Sequence, residues 1–497
     1  MGGLRGLGWS AFALVLALPA VGAENVPPEG AQSVPHDSGL FRPDPSYPPE
    51  QYDIDKQLDI YGGKRAIETP RPVFETGVRQ YTSGPFDQAS TFLGAKNPVR
   101  TAFSAYGDWR NAVAVNDFGN NETTQIATRL NLDLDFKLTA TERIHGFVRP
   151  FDKGGKFTRY EFYNSNDDKD GGDGIFDLNF DTIFFEGDLG SISSGLRDEY
   201  TSWDLPFAVG LMPLIFQNGI WVDDAFSGVA FTLPALNSPR FDISNMDFTF
   251  FAAFNRVTSG AIRNAANKVV DDEANVFGVA AFLETHQGYW ELGYGYTDGT
   301  GNFDDQSYHN ATVAFTKRYG GWLSNSVRVI GNFGQDRNNG AKQTADGYVF
   351  LIENSLITSK PLTLVPYLNL FAGFDHPQSL ARDAGAGGVL KNTGINFETD
   401  GLTGFPFLDD VANNTYGGAL GVQYLFDLDQ QIIFEVATVQ VHGDDNDRVI
   451  QDDQHAIGVR YQLPLTKAWL IRADAMAAIR EDDEDISGVR FELRVKF

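Results

Sequence analysis

Gly488-Val-Arg-Phe-Glu-Leu-Arg-Val-Lys-Phe497 is the stretch that decides the fold. Val489, Phe491, Leu493, Val495 and Phe497 are apolar, and the residues between them, Arg490, Glu492, Arg494 and Lys496, are charged. Such period-2 alternation puts all apolar side chains of a strand on one face and all charges on the other. In a sandwich the charged face meets water and the apolar face meets a core. In a membrane barrel the apolar face meets lipid and the charged face lines a wet lumen. The rest of the chain discriminates between these two.

Alternating segments of about ten residues recur from Thr101 onward. Ile126, Leu130, Leu132, Leu134, Phe136 and Leu138 oppose Arg129, Asn131, Asp133, Asp135 and Lys137. Phe103, Ala105, Gly107, Trp109 and Val113 oppose Ser104, Tyr106, Asp108 and Arg110. Trp290, Leu292, Tyr294 and Tyr296 oppose Glu291 and small residues. One segment is less regular, because Leu470 and Met476 share a face with Arg472 and Asp474. From Thr258 to Phe497, short and long connections alternate. Glu284–Gly288, Arg318–Gly321, Thr358–Pro361, Asp427–Asp429 and Pro464–Lys467 are short. Thr258–Asp272, Gln335–Asp346, Asp375–Asn414 and Gly443–Asp453 are long and polar. Bacterial membrane barrels sort their loops this way, and a sandwich has no reason to. The expected fold is all-β, a transmembrane antiparallel barrel of about 18 strands, with about 16 as the alternative count.

Composition agrees. The 497 residues contain no cysteine, 52 glycines and 40 phenylalanines, with a formal net charge of -27. Without cysteine there are no disulfides and no thiolate metal ligands. The acidic balance argues against nucleic acid as a partner. Residues 1–23 read as a signal peptide, with Arg5 before an apolar run and the small-residue site Val21-Gly22-Ala23. Residues 24–50 read as a Pro-rich tether, residues 51–98 as a periplasmic extension or a plug, and residues 99–497 as the barrel. Tyr289, Trp290, Tyr319, Trp322, Tyr424 and Trp469 stand near predicted strand ends, where interface girdles are expected.

Four places carry candidate chemistry. Alternation points Arg110, Arg129, Asp133, Asp135, Arg328, Arg460, Arg472, Asp474, Arg490, Glu492 and Arg494 into the lumen, either to set permeation or to brace the wall as salt-bridge ladders. Asn166, Asp168, Asp170 and Asp173 crowd oxygen ligands on a glycine-rich loop, a candidate structural Ca²⁺ site against a plain solvated loop; no other cofactor is expected. His442 and His455, with Asp444, Asp445, Asp452 and Asp453, face each other across one predicted outer loop, a candidate metal or catalytic rim against an ordinary polar hairpin end. Asp375–Asn414 is the longest connection, read as a surface loop or as a constriction folded inward.

The terminal strand ending on Phe497 resembles the C-terminal signal of Gram-negative outer-membrane barrels, which the barrel-assembly machinery reads. Residues 101–497 as a whole resemble outer-membrane channel proteins. Val209-Gly-Leu-Met-Pro-Leu-Ile-Phe-Gln-Asn-Gly-Ile-Trp221 is similar to a stretch of the alginate-export type of porin, a family of eighteen-stranded barrels. The resemblance implies a cell outer membrane location, with lipid and lipopolysaccharide around the wall. It implies a channel rather than an enzyme, passing small hydrophilic or anionic solutes, saccharides or an exported polysaccharide among them. The other classes in view are a rim-active outer-membrane enzyme and a barrel sheath around a periplasmic redox partner.

Overall fold

The structure, a computed structural model, describes residues 70–78, 89–163, 170–398, 401–426, 430–443, 448 and 451–497. Eighteen antiparallel strands form one closed wall. They are β1 (Ala102–Asp117), β2 (Glu122–Lys137), β3 (Arg143–Val148), β4 (Phe180–Asp188), β5 (Pro206–Phe216) and β6 (Val222–Ser238). Then come β7 (Ile243–Asn255), β8 (Ala274–Thr285), β9 (Gly288–Gly299), β10 (Tyr308–Tyr319), β11 (Leu323–Phe333) and β12 (Tyr348–Leu356). The circuit ends with β13 (Leu364–Phe374), β14 (Thr415–Phe426), β15 (Gln430–Val441), β16 (Gln454–Pro464), β17 (Trp469–Arg480) and β18 (Ile486–Lys496).

The C-terminal stretch makes the seam. β18 pairs with β1 from Asp108↔Lys496 to Asp117↔Ser487. Phe497 completes the pairing, its N–H donating to the Gly107 carbonyl at 3.0 Å and its carbonyl accepting from Gly107 N at 2.8 Å. Closure joins the first and last strands by main-chain hydrogen bonds, so neither is left as a free terminal strand in hydrocarbon. Residues 74–77 pair with 102–105 of β1, beyond the end of β18, so this part of the N-terminal region lies along the inner rim.

The sidedness follows the expected pattern from β7 onward. Earlier in the chain two outer connections are short, 118–121 and 217–221, and one inner connection carries a helix, α1 (Leu189–Arg197). Asp188 caps α1 by accepting from Ser191 N at 2.6 Å. On the outside, Trp109, Ile126, Leu292, Val327, Leu420, Phe434, Ile457 and Phe491 are all exposed and apolar. Among the expected girdle residues, Tyr319, Trp322, Tyr424 and Trp469 are exposed at the inner ends of their strands. Tyr289 departs from that reading. It shares the face of Glu291 and lies against Phe282, ring centroids 5.7 Å apart, at the inner mouth.

Leu292 lies midway along β9 on the outer face. Leu292→Arg is expected to cost about 2–4 kcal/mol in denaturant unfolding from bilayers, the penalty for a cation at the hydrocarbon midplane. A change below about 1 kcal/mol would mean that Leu292 does not face lipid.

Candidate functional site: the lumen

The lumen is occupied by the connection between β13 and β14, Asp375–Asn414. This corrects the surface-loop reading, and the reason is apolar burial. Leu380, Leu390, Phe397, Leu402 and Leu408 are fully buried, which a polar surface loop has no means to achieve. The loop leaves β13 and first docks on β6, seven strands away around the wall. Ala381–Arg382 pairs in parallel with Val222–Asp223, and Leu380 N donates to the Trp221 carbonyl at 2.9 Å. Trp221 is fully buried, its indole N–H donating to Asn310 Oδ1 at 2.8 Å.

The loop then returns along the opposite wall. Asn369 Nδ2 donates to the Thr393 carbonyl at 2.7 Å, and Asn116 Nδ2 to the Thr403 carbonyl at 2.8 Å. Glu435 of β15 is 3% exposed and accepts from Ile395 N and Asn396 N, both at 2.9 Å, and from Asn396 Nδ2 at 2.8 Å. It also accepts from the Tyr367 hydroxyl. Leu390, Phe397, Phe405 and Leu408 pack on Ile330, Phe371, Val439, Met476 and Ile486 of the inner wall. That packing explains the irregular β17: Met476 faces inward because it meets an apolar loop there, not water. Residues 256–273 fold in beside the loop, where the Tyr308 hydroxyl lies 2.8 Å from Ser259 Oγ and donates to the Ser379 carbonyl at 2.9 Å.

Within the loop, Asp409 and Asp410 sit side by side, both buried. Asp410 Oδ2 accepts from Gly388 N at 2.6 Å. Burial and the neighbouring Asp410 carboxylate push Asp409 up to about 7. Asp409 therefore holds a proton in the packed loop that it would release in water. That contribution to packing is fully present below about pH 4 and is lost as pH rises through about 7. Channel noise from loop excursions is expected to increase between about pH 5 and about pH 9, and Asp409→Asn should flatten the response. Identical recordings at both pH values would exclude this role.

The candidate lumen residues fall into three groups. Arg110, Arg460, Arg472, Arg490 and Arg494 form one network on β1 and β16–β18. Arg110 Nη2 lies 2.7 Å from Glu492, Arg460 Nε 2.7 Å and Arg490 Nη2 3.0 Å from Asp474, and Arg472 Nε 2.8 Å from Asp474. Arg494 reaches Glu492 at 3.1 Å and Asp108 at 3.5 Å. Glu398 enters from the loop, at 2.5 Å from Arg460 and 3.7 Å from Arg472. Burial alone would raise its carboxyl, but Arg460 and Arg472 outweigh burial and hold it low. Five guanidiniums thus share four carboxylates. Arg110, Arg460 and Arg490 are buried, whereas Arg494 keeps 28% of its side chain exposed.

The second group lies below, toward the inner mouth on β2–β4. There Asp133 and Asp135 stand with His145, whose Nε2 lies 3.1 Å from Glu186 and whose Nδ1 lies 3.6 Å from Asp135. Third, Arg129 and Arg149 both approach Asp152, at 3.4 and 3.2 Å, while Arg328 on the far wall lies between Glu291 and Glu353 at 3.5 and 3.3 Å. Sequence reasoning missed Glu398, Glu435 and Trp221, the residues that seat the loop. No alternation pattern marks a side chain whose partner lies on a distant strand.

The other two clusters lie partly outside the described residues. Asn166 and Asp168 lie outside the described residues, Asp170 Oδ1 accepts from Tyr163 N at 3.0 Å, and Asp173 is exposed. Among the described residues, no group of three acidic or histidine side chains is placed to hold a metal ion. His455 faces outward, 2.9 Å from Thr438 Oγ1. His442 packs against Phe374 at the outer rim, ring centroids 5.1 Å apart, so the two rings share no site. Asp444 and Asp445 lie outside the described residues.

No family model matches the sequence, and no curated protein matches it. Among solved structures, the chain is similar to Pseudomonas aeruginosa OccK7 (OpdD), with 11% identity and a TM-score of 0.53 over 80% of this chain and 98% of that one. OccK2 (OpdF) of the same organism shares 11% identity at a TM-score of 0.51, over 80% and 97%. OpdQ, also from that organism, shares 8% at 0.50, over 80% and 98%. These are outer-membrane porins, and at such identity the likeness is one of fold. They are not of the alginate-export type expected from Val209–Trp221. In this chain that stretch is β5 and a tight outer turn whose Trp221 seats the inward loop, a packing role. A closed wall with an apolar outer belt is an outer-membrane barrel, and this protein resides in the cell outer membrane.

Proposed function

We propose that the protein is a passive outer-membrane channel for small hydrophilic solutes, with a preference for those carrying a carboxylate or another compact anion. The observation that carries this reading is the guanidinium row Arg490, Arg472, Arg494, descending the inner wall of β17 and β18 past the loop. The row holds more positive than negative charge, and Arg494 is open to water below the loop. Asp133, Asp135 and Glu186 on β2–β4 form an acidic stretch of the neighbouring wall, toward the inner mouth. The neighbouring basic and acidic rows set a local field along this part of the wall that orients a charged solute and draws anions along the basic side. The buried arginines brace the wall, and the part-exposed Arg472, Arg494 and Arg129 meet the solute.

Polysaccharide export would need an unbroken wide lumen. A loop that crosses to β6 and returns supports single small solutes, sugar acids and other carboxylates among them. The test is a reversal potential in a salt gradient, with Arg494→Gln expected to lower the anion-to-cation permeability ratio by about twofold or more. Glu398→Gln should raise it, since it removes a negative charge from between Arg460 and Arg472. Unchanged ratios in both variants would refute the basic row as the selectivity element.

A further inference from the structure

On β9, nine strands from β18 and so halfway around the wall from the basic row, the lumen has a different lining. Directly paired residues of β9–β12 carry Tyr289, Thr316, Ser326 and Glu353 inward in one row. The next row toward the loop, on β8–β11, holds Phe282, Glu291, Ala314 and Arg328. Ile330, one inward position above Arg328, belongs to the cluster that the loop covers, so both rows lie just beneath the loop.

Phe282 and Tyr289 form an aromatic platform. Their rings stack at 27°, and Tyr289 is 42% exposed, so the platform is open to lumenal water. Beside it, Glu291 and Glu353 keep 31% and 28% of their side chains exposed while sharing Arg328, whose own side chain is 1% exposed. Both of those contacts leave from Nη atoms. Arg328 Nε is buried and meets no hydrogen-bond partner among the described residues. A buried N–H in that position costs free energy until something supplies it with an oxygen. Between Tyr289 and Glu353, Thr316 Oγ1 donates to Ser326 Oγ at 2.9 Å.

We infer that this lining is a subsite for the ring of a saccharide, an inference that rests on the lumen being a solute path. A pyranose has an apolar face of C–H groups and a rim of hydroxyls. The face lies on the aromatic platform, Glu291 and Glu353 accept from hydroxyls, and Arg328 donates to a hydroxyl or ring oxygen. Other solutes use only part of this lining. An aromatic carboxylate stacks on Tyr289 but brings its charge against two carboxylates. An organic cation suits the rings and the carboxylates, yet it lies against the Arg328 charge and offers Nε no acceptor.

The test is saturation-transfer NMR of the full-length protein in an amine-oxide detergent, which carries no sugar, with glucose, benzoate and choline as probes. Glucose has the ring without a charge, so its binding reports this lining and not the basic row, and it is read without any conductance. Reversal potentials report the channel separately. Glucose is expected to receive saturation and to keep it in excess benzoate or choline. Tyr289→Ala should weaken glucose binding by about threefold or more, whereas Tyr289→Phe keeps the ring and should bind as wild type does. No transfer to glucose in the wild type would overturn the subsite, as would wild-type affinity in a Tyr289→Ala protein that still shows heat-modifiable migration. Displacement of glucose by choline would make this a cation site, and displacement by benzoate an aromatic-acid site; either result overturns the saccharide assignment.

Discussion

Replacing residues 378–411 with a short Gly-Ser bridge is expected to raise single-channel conductance severalfold. The wall does not depend on these residues, because every neighbouring strand pair from β1 around to β18 is joined by its own ladder. The lumen does depend on them. The excised stretch carries Leu380 into the cluster of Trp221 in the turn before β6, Phe226 on β6 and Phe251 on β7, and Leu390, Phe397, Phe405 and Leu408 into the cluster on β11–β18. Without it, both clusters face water and the cross-section opens. Heat-modifiable migration in SDS should persist, since that property belongs to the closed wall. A truncated protein that still migrates as a folded barrel yet conducts like the full chain would show that the constriction lies elsewhere.

Glu435→Ala is expected to release part of the same loop without excising it. The buried carboxylate receives the Tyr367 hydroxyl, two backbone N–H groups and the Asn396 amide. Alanine strands these donors, and lumenal water can reach them only if the loop lifts. Each buried donor left without a partner costs about 1–3 kcal/mol. Loss of about 3 kcal/mol or more of loop attachment should appear as frequent stepwise conductance changes, together with faster proteolysis between Gly394 and Asp410. Glu435→Gln keeps an acceptor oxygen and should fall between wild type and alanine. Quiet single-channel traces from the alanine variant would mean that the apolar cluster alone holds the loop.

Much of the wall was legible in the sequence. Alternation over Val489–Phe497 and Ile126–Leu138 depends only on the twofold strand period, which is local, and it carried the strand class. Loop parity from Thr258 onward gave the sidedness, and extending the walk over the whole chain gave the strand number. Parity was a poorer guide before that point, because 118–121 and 217–221 are outer turns as short as inner ones, and α1 lengthens an inner connection.

Which lumenal arginine is buried and which is part-exposed was not legible. Arg490 and Arg494 share one face of one strand, yet their side chains are 2% and 28% exposed, because Asp474 and Phe405 cover the first. The same limit applied to the connection Asp375–Asn414. Its length and its glycines suited a surface loop as well as a constriction, and the choice lay in partners far away in the chain, Trp221, Glu435 and Arg460. By itself the sequence determined a membrane barrel and its two faces, since a membrane strand writes its environment into every second residue. Only the tertiary structure decided how the wall closes on itself, what fills the lumen and which side chains seat it. Those outcomes depend on apolar burial and hydrogen bonds between segments that are distant in the chain, and no local period records them.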